Sequence, residues 1–288
     1  MRAVFRHEVS SHLTNPTSYV FGAFVLLFAG IYTMAYNIDS ALANFEYAIG
    51  SMAFVFLVTI PILTMRVLSE ERKQKTDQLL YSLPLSMTQV VAGKFAALLV
   101  MLLLPLAIIS LYPLVLCAFG NVYLPAAFSA ITGFFLLGAS LLSIGMYISS
   151  VTENQAIAAG LCFVVMLINF YIADLATYVA TTAFASFAAF AIMALLIGIV
   201  LYLMTKNSFA ATVVTAVLEG VLLVFYMIDG PSFGGMFPSL MKELSLFQRF
   251  YNFVDGIFDL TSIVYFLSVI GIFLFLSIQS LEKRRWSE

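Results

Sequence analysis

The sequence predicts an all-α fold, a polytopic bundle of transmembrane helices. Three observations carry that prediction. Of 288 residues, 62% are hydrophobic and only 10% charged, against roughly 45–50% and about 25% in a soluble domain. The mean hydropathy is +1.05, which also excludes a disordered chain, since disorder needs low hydrophobicity and high charge. Finally, the apolar runs are long enough to cross ~30 Å of hydrocarbon, which takes about 20 helical residues. A net charge of −2 and a pI near 5.7 carry no basic signature for nucleic acid.

The chain opens on a polar stretch, Met1–Asn15, too long and too mixed in charge for a signal-peptide n-region. Phe5, Val9 and Leu13 recur at i, i+4 and i+8, which makes one apolar stripe on a short helix that also carries Arg6. Such an amphipathic helix lies in the headgroup layer before Pro16 turns the chain into the first span. Eight spans are expected: Tyr19–Tyr36, Tyr47–Met65, Phe95–Cys117, Ala126–Ser150, Gln155–Ala173, Phe184–Thr205, Phe209–Ile228 and Thr261–Leu281. The division between the fifth and sixth is the weakest, marked only by Asp174 and the Thr181-Thr182 pair. A six- or seven-span reading with part of Leu175–Leu203 re-entrant stays open.

Charge placement orients the bundle. With eight spans and a cytoplasmic N-terminus, the inner side holds Arg2, Arg6, Arg66, Arg72, Lys73, Lys75, Lys94, Lys206, Lys283, Arg284 and Arg285. The outer side holds only Lys242 and Arg249. This positive-inside bias puts both termini in the cytoplasm. The molecule is expected to be a single permease-like transmembrane domain over residues 1–288, in a prokaryotic plasma (inner) membrane.

The inner segment 66–94 is the most informative. Glu70–Leu83 is rich in helix formers and lacks Gly and Pro, with Leu68, Leu79, Leu80 and Leu83 as apolar positions among charges. Pro84 ends that helix, because the residue before a proline is pushed out of the α region. Ser86 is placed to cap the next helix, with Gln89 three residues on. The result is a protruding cytoplasmic elbow with apolar teeth. On the other side, Asp229–Leu260 is long for a simple connection. It has turn formers at Gly230-Pro231 and Gly234-Gly235, then Leu240, Leu244, Phe247, Phe250, Tyr251 and Val254 at helical spacing. One or two helices lying at the outer interface are expected there.

Catalytic patterns are absent from the sequence. It has no HExxH, no GxSxG, no Cys/His ligand cluster and no GxxxxGK[ST] phosphate loop. No metal site and no catalytic residue are expected, and no cofactor bound by this chain. Cys117 and Cys162 are expected to be free, buried thiols. Glu219 is the one ionisable residue inside a span, and an intramembrane carboxyl is by default a functional hypothesis. Pro61, Pro105 and Pro113 read as kinks or end signals, and Ala191/Ala194/Gly198 and Gly145/Ser149 as close helix contacts.

At the elbow the sequence resembles a known family. Glu70-Glu71-Arg72-Lys73, Thr76, Leu79-Leu80, Ser82, Pro84, Ser86 and Gly93-Lys94 are similar to the E-[KR]-x-x-G-T-x-x-x-L-x-[ST]-x-P-x-[ST] signature after the second span of ABC-2-type transporter permeases. Within that family the chain resembles the gliding-motility-associated branch. The resemblance there rests on Phe5, Glu8, Asn15-Pro16 and Tyr19 at one end. At the other it rests on Leu246, Phe250, Gly256, Asp259-Leu260, Tyr265-Phe266 and Leu281 to Trp286. Two departures stand out: Lys75 replaces a frequent glycine, and residues 175–228 add a helical hairpin that a six-span member lacks.

The resemblance implies that the elbow is a coupling helix seated in a groove of a separate ABC ATPase subunit, which supplies ATP and Mg. Glu71, Lys73, Thr76, Leu79, Leu80 and Pro84 would dock, with the two leucines as anchors. Phe5 and Arg6 of the N-terminal helix would help pass on the motion. A second permease chain, identical or related, would complete the path. Two other readings compete with this permease subunit of an exporter. One is a membrane scaffold without transport for an ATPase and an outer-surface partner. The other is a proton-coupled secondary transporter using Glu219.

Overall fold

The structure is a computed structural model that describes residues 2–73 and 86–285. Every regular element among the described residues is helical. Seven helical stretches among them are long and apolar enough to cross a membrane. The sixth expected span lies in a helix of 23 residues, Ala183–Thr205, of which Ala183–Ile199 stands as a shorter apolar helix. The chain divides into two compact units, residues 1–168 with 249–288, and residues 169–248.

The larger unit begins with α1 (Arg2–Thr14) and α2 (Pro16–Thr33). Asn15 separates them in an extended conformation and accepts the Thr17 N–H at 3.1 Å, while Pro16 opens α2. Proline suits that first position because its missing N–H would be unpaired there anyway. A π turn, Met34–Asp39, continues α2. Then come α3 (Phe45–Met52), a short 3-10 turn, α4 (Phe56–Thr64), α5 (Ser69–Lys73), α6 (Met87–Ile109), α7 (Leu111–Leu116) and α8 (Leu124–Val151). Two helices are shared between the units, α9 (Gln155–Tyr178) and α13 (Leu246–Val254); α14 (Leu260–Arg285) closes the larger one.

The core of this unit forms around α8, which packs against α3, α4, α6 and α14. Phe134 is wholly buried. Its ring stacks on Phe56 at 4.2 Å and meets Phe250 edge-on at 6.0 Å. Phe250 and Phe253 are also wholly buried, so the aromatic side chains at the end of α13 are anchored within this unit. Between α8 and α4 the helices approach closely at Gly145. A Cβ there would lie 2.9 Å from the Thr64 Cβ and closer still to the Thr64 hydroxyl. Small residues at such crossings are how membrane helices gain dispersion contact, since lipid leaves little hydrophobic drive between them. The α2 helix behaves differently: Ser18, Phe21, Val25, Ala29 and Thr33 form its single buried stripe. At the start of α14 the Asp259 carboxylate accepts hydrogen bonds from the Ser262 hydroxyl (2.7 Å) and the Thr261 and Ser262 N–H groups. The hydroxyl bond first, then the backbone bonds, hold that carboxyl below its ordinary pKa.

The smaller unit holds α10 (Ala183–Thr205) and α11 (Ser208–Ile228), packed side by side. Thr182 caps α10 and Asn207 caps α11, each accepting a backbone N–H from three residues on. At Gly198 a Cβ would collide with the Thr215 hydroxyl, which accounts for the small residue at this crossing. A 3-10 turn, Gly230–Phe233, and α12 (Met236–Leu244) follow. Gly235 has φ +72° before α12, a conformation that costs glycine no steric strain. Phe233 sits among Phe187, Phe190 and Tyr226, with ring centroids 5.7–6.4 Å away.

Two sequence expectations are corrected. Cys117 is free but exposed, because it lies in the turn after α7; only Cys162 is buried. Asp174 does not end the fifth span, since α9 continues to Tyr178.

Gly145→Ala should lower the thermal unfolding midpoint in detergent, with a loss of about 1–3 kcal/mol for forced overpacking. Adding Thr64→Ala should recover part of it, because that change removes the nearest atom.

Candidate functional site

Residues 66–73 and 86–94 flank the predicted elbow, and the structure shows what holds these two roots. Ser86 lies in extended conformation and its hydroxyl accepts the Gln89 N–H at 3.3 Å, as the capping pattern predicts. The helix it starts, α6, runs on without a break into the third apolar span, as expected, and carries Lys94 within it. Gly93 lets α1 lie directly on α6: a Cβ there would come within 3.1 Å of the Val4 side chain and 3.4 Å of the Phe5 nitrogen.

That close approach brings three charges together. Lys94 is 2% exposed. Its ammonium donates to Glu8 Oε1 of α1 at 2.7 Å and to Glu71 Oε1 of α5 at 2.7 Å. Its third proton goes to the Val67 carbonyl at 3.3 Å. An ammonium has three donors and no acceptor, and all three are used. A buried charge is tolerated only when paired and hydrogen-bonded, so the triad ties the N-terminal helix, the exit of the second span and the entry of the third to one another.

A second knot lies beside it. Arg72, also of α5, is 6% exposed and donates to the Ser150 and Thr152 carbonyls. These are among the last carbonyls of α8, which have no partner within their own helix. A cation at a helix C-terminus also meets the negative end of the helix dipole. Glu153 lies 3.9 Å from the guanidinium. Ser149 accepts the Leu68 and Ser69 N–H groups at 3.2 and 3.1 Å. Ser280 of α14 donates to the Ser150 carbonyl at 3.3 Å.

The candidate residues read from the sequence fall into distinct places. Glu71 is part of the triad, at the root of the elbow, and Lys73 is exposed two residues further on. Thr76, Leu79, Leu80 and Pro84 lie outside the described residues, as does Trp286. Leu68 is not an apolar tooth: it is 2% exposed, packed into the bundle with its N–H on Ser149. In α1, Phe5 and Val9 are half-buried, while Arg6 and Leu13 are exposed. Glu219 is half-buried in α11 and has no hydrogen-bond or ion-pair partner among the described residues. No group of three or more His, Cys, Asp or Glu side chains placed to hold a metal occurs among the described residues. Reading the sequence missed Lys94, Glu8 and Arg72 as a cluster. The available signals were a lysine beyond the start of an apolar helix and a single acid in α1.

The chain matches the family model described as ABC-2 family transporter protein over residues 27–180, more than half its length. The chain belongs to the ABC-2 transporter family. A comparison with curated proteins found no match. Family membership and the seven apolar helices make it a multi-pass membrane protein of the ABC-2 type.

Two outcomes follow from the cluster. Lys94→Met would leave two half-buried carboxylates side by side without a cation, a change worth about 3 kcal/mol, the low end for breaking a buried pair. Glu71 is more exposed than Glu8 (28% against 14%), so Glu8→Gln in that background should restore more of the thermal stability than Glu71→Gln. His12, one turn after Glu8, has its pKa lowered, chiefly by burial, against the raising effect of Glu8, with Lys94 adding to the lowering. A group whose folded pKa is depressed stabilises the fold above its unfolded pKa, here 6.5, and that contribution is lost as pH falls through the window below it. Proteolytic release of α1 should therefore accelerate as pH falls below 6.5, and His12→Asn should flatten that dependence.

Proposed function

We propose that this ABC-2 protein is the membrane-spanning permease subunit of an ATP-binding-cassette exporter. ATP and Mg are bound and hydrolysed by a separate ATPase subunit, and the elbow of residues 66–94 seats in a groove of that subunit. A second permease chain, identical or related, completes the translocation path. The protein lies in a prokaryotic plasma membrane with its termini and elbow on the cytoplasmic side. Within the family we place it in the gliding-motility-associated branch, on the N-terminal and C-terminal residues named above.

One observation carries this reading beyond the family: the roots of the elbow are cross-tied through Lys94, Glu8 and Glu71. A loose connecting loop needs no such anchorage. A force-bearing segment does, because a push on it must reach the spans rather than dissipate in side-chain motion. Glu71 and Arg72 fix the base to α6 and α8. In this arrangement Leu79 and Leu80 serve as apolar anchors in the ATPase groove, Lys73 and Thr76 as its polar contacts, and Pro84 sets the bend. The amphipathic α1 receives the motion through Glu8, with Phe5, Arg6, Val9 and Leu13 against the headgroup layer.

Burying one leucine at such a contact contributes about 1.5–3 kcal/mol. Leu79→Asp with Leu80→Asp should therefore cut co-purification of a phosphate-loop ATPase from the native membrane at least ~10-fold, with the permease still inserted. Unchanged capture of that ATPase would reject the elbow assignment. Capture that persists with no ATP-dependent flux in vesicles would instead favour the scaffold reading.

A further inference from the structure

Beside the C-terminal end of α1, a groove of about 300 Å³ runs between α2 and α6. One end is polar, formed by His12, Ser18 and Tyr19; the rest is lined by apolar residues such as Leu26, Leu104 and Ile108. Gly22 lies in its wall, and a Cβ added there would meet nothing within 4 Å. From Ser18 to Leu26 the α2 wall rises about 12 Å at 1.5 Å per residue. The groove is thus polar at the end beside α1 and apolar along the rest of its length, the profile of one lipid molecule.

We propose that this groove binds one acyl chain of an anionic glycerophospholipid in the leaflet that α1 occupies, with the headgroup against Arg6. The charge comes from α1. Its single acid, Glu8, is committed to Lys94, which leaves the exposed Arg6 as an outward cation. Arg6 precedes Leu13, a lining residue, by seven positions, so the two share one stripe of the helix, two turns apart. At the rim, the Tyr19 hydroxyl donates to the Leu13 carbonyl at 2.6 Å, and His12 Nδ1 and the Ser18 hydroxyl are hydrogen-bonded to each other at 3.3 Å. With both hydroxyls engaged, Arg6 is the cation that selects the headgroup. A second copy of this chain fits poorly, because a two-fold interface on this face would bring two cationic stripes together. This inference is independent of whether an ATPase docks on the elbow.

The test is native mass spectrometry of the protein released from nanodiscs of equimolar phosphatidylethanolamine and phosphatidylglycerol. Wild type should retain phosphatidylglycerol preferentially. Gly22→Leu, which fills the groove, should lower that retention at least ~10-fold. Arg6→Glu, on an exposed position that leaves the fold intact, should abolish the preference for phosphatidylglycerol. Equal retention of both lipids by wild type would overturn the proposal, as would an unchanged preference in Arg6→Glu. A disulfide-linked dimer formed through Gly22→Cys would overturn it too, by giving the groove to a second copy.

Discussion

An ammonium removed from water must be surrounded by acceptors. In this protein Lys94 meets that requirement with groups from three separate stretches of chain: Glu8, the Val67 carbonyl and Glu71. This end of the larger unit depends on that constraint. Because the two carboxylates come from α1 and α5, neither helix can leave without stranding a charge. The alternative arrangement of these segments is therefore a poor one, and the amphipathic first helix becomes a fixed part of the bundle.

Arg72 works by the same rule on the neighbouring helix. The final turn of α8 leaves carbonyls with no partner in their own helix, and membrane-level backbone has little water to turn to. One guanidinium serves the Ser150 carbonyl of that turn and the carbonyl of Thr152, the residue that caps it, while Ser149 takes the N–H groups of Leu68 and Ser69. Glu71 and Arg72, neighbours in the short helix α5, thus tie it to α6 and to the end of α8, at the base from which the predicted elbow departs. In an ABC-2 protein, the segment that leaves such a base inherits a rigid footing.

The spans were legible because a hydrocarbon environment writes itself into composition: a helix such as α8 or α9 needs only local hydropathy to be recognised. The Ser86 cap was legible for a similar reason, since donor and acceptor lie three residues apart. The charge cluster was not. Glu8 and Lys94 are separated by 86 positions, and nothing in a single sequence states which acid a distant lysine will find. Arg72 reads as one more solvated charge of a basic loop until the end of α8 is seen above it. Leu68 misled in the opposite direction, because an apolar residue near a charged run suits a docking surface and a buried helix end equally well. The end of α9 moved by several residues for a related reason: hydropathy marks where the membrane is, whereas hydrogen bonding decides where a helix stops.

The contact between α1 and Gly93-Lys94 has a consequence for how the molecule is made. A ribosome delivers Glu8 first and its counter-ion only after two complete membrane crossings. Until then the leading helix has neither the floor supplied by Gly93 nor a positive partner, and rests on lipid alone. Though made before the first two spans, α1 is therefore among the last segments to reach its final place, and it locks shut behind the hairpin that follows it.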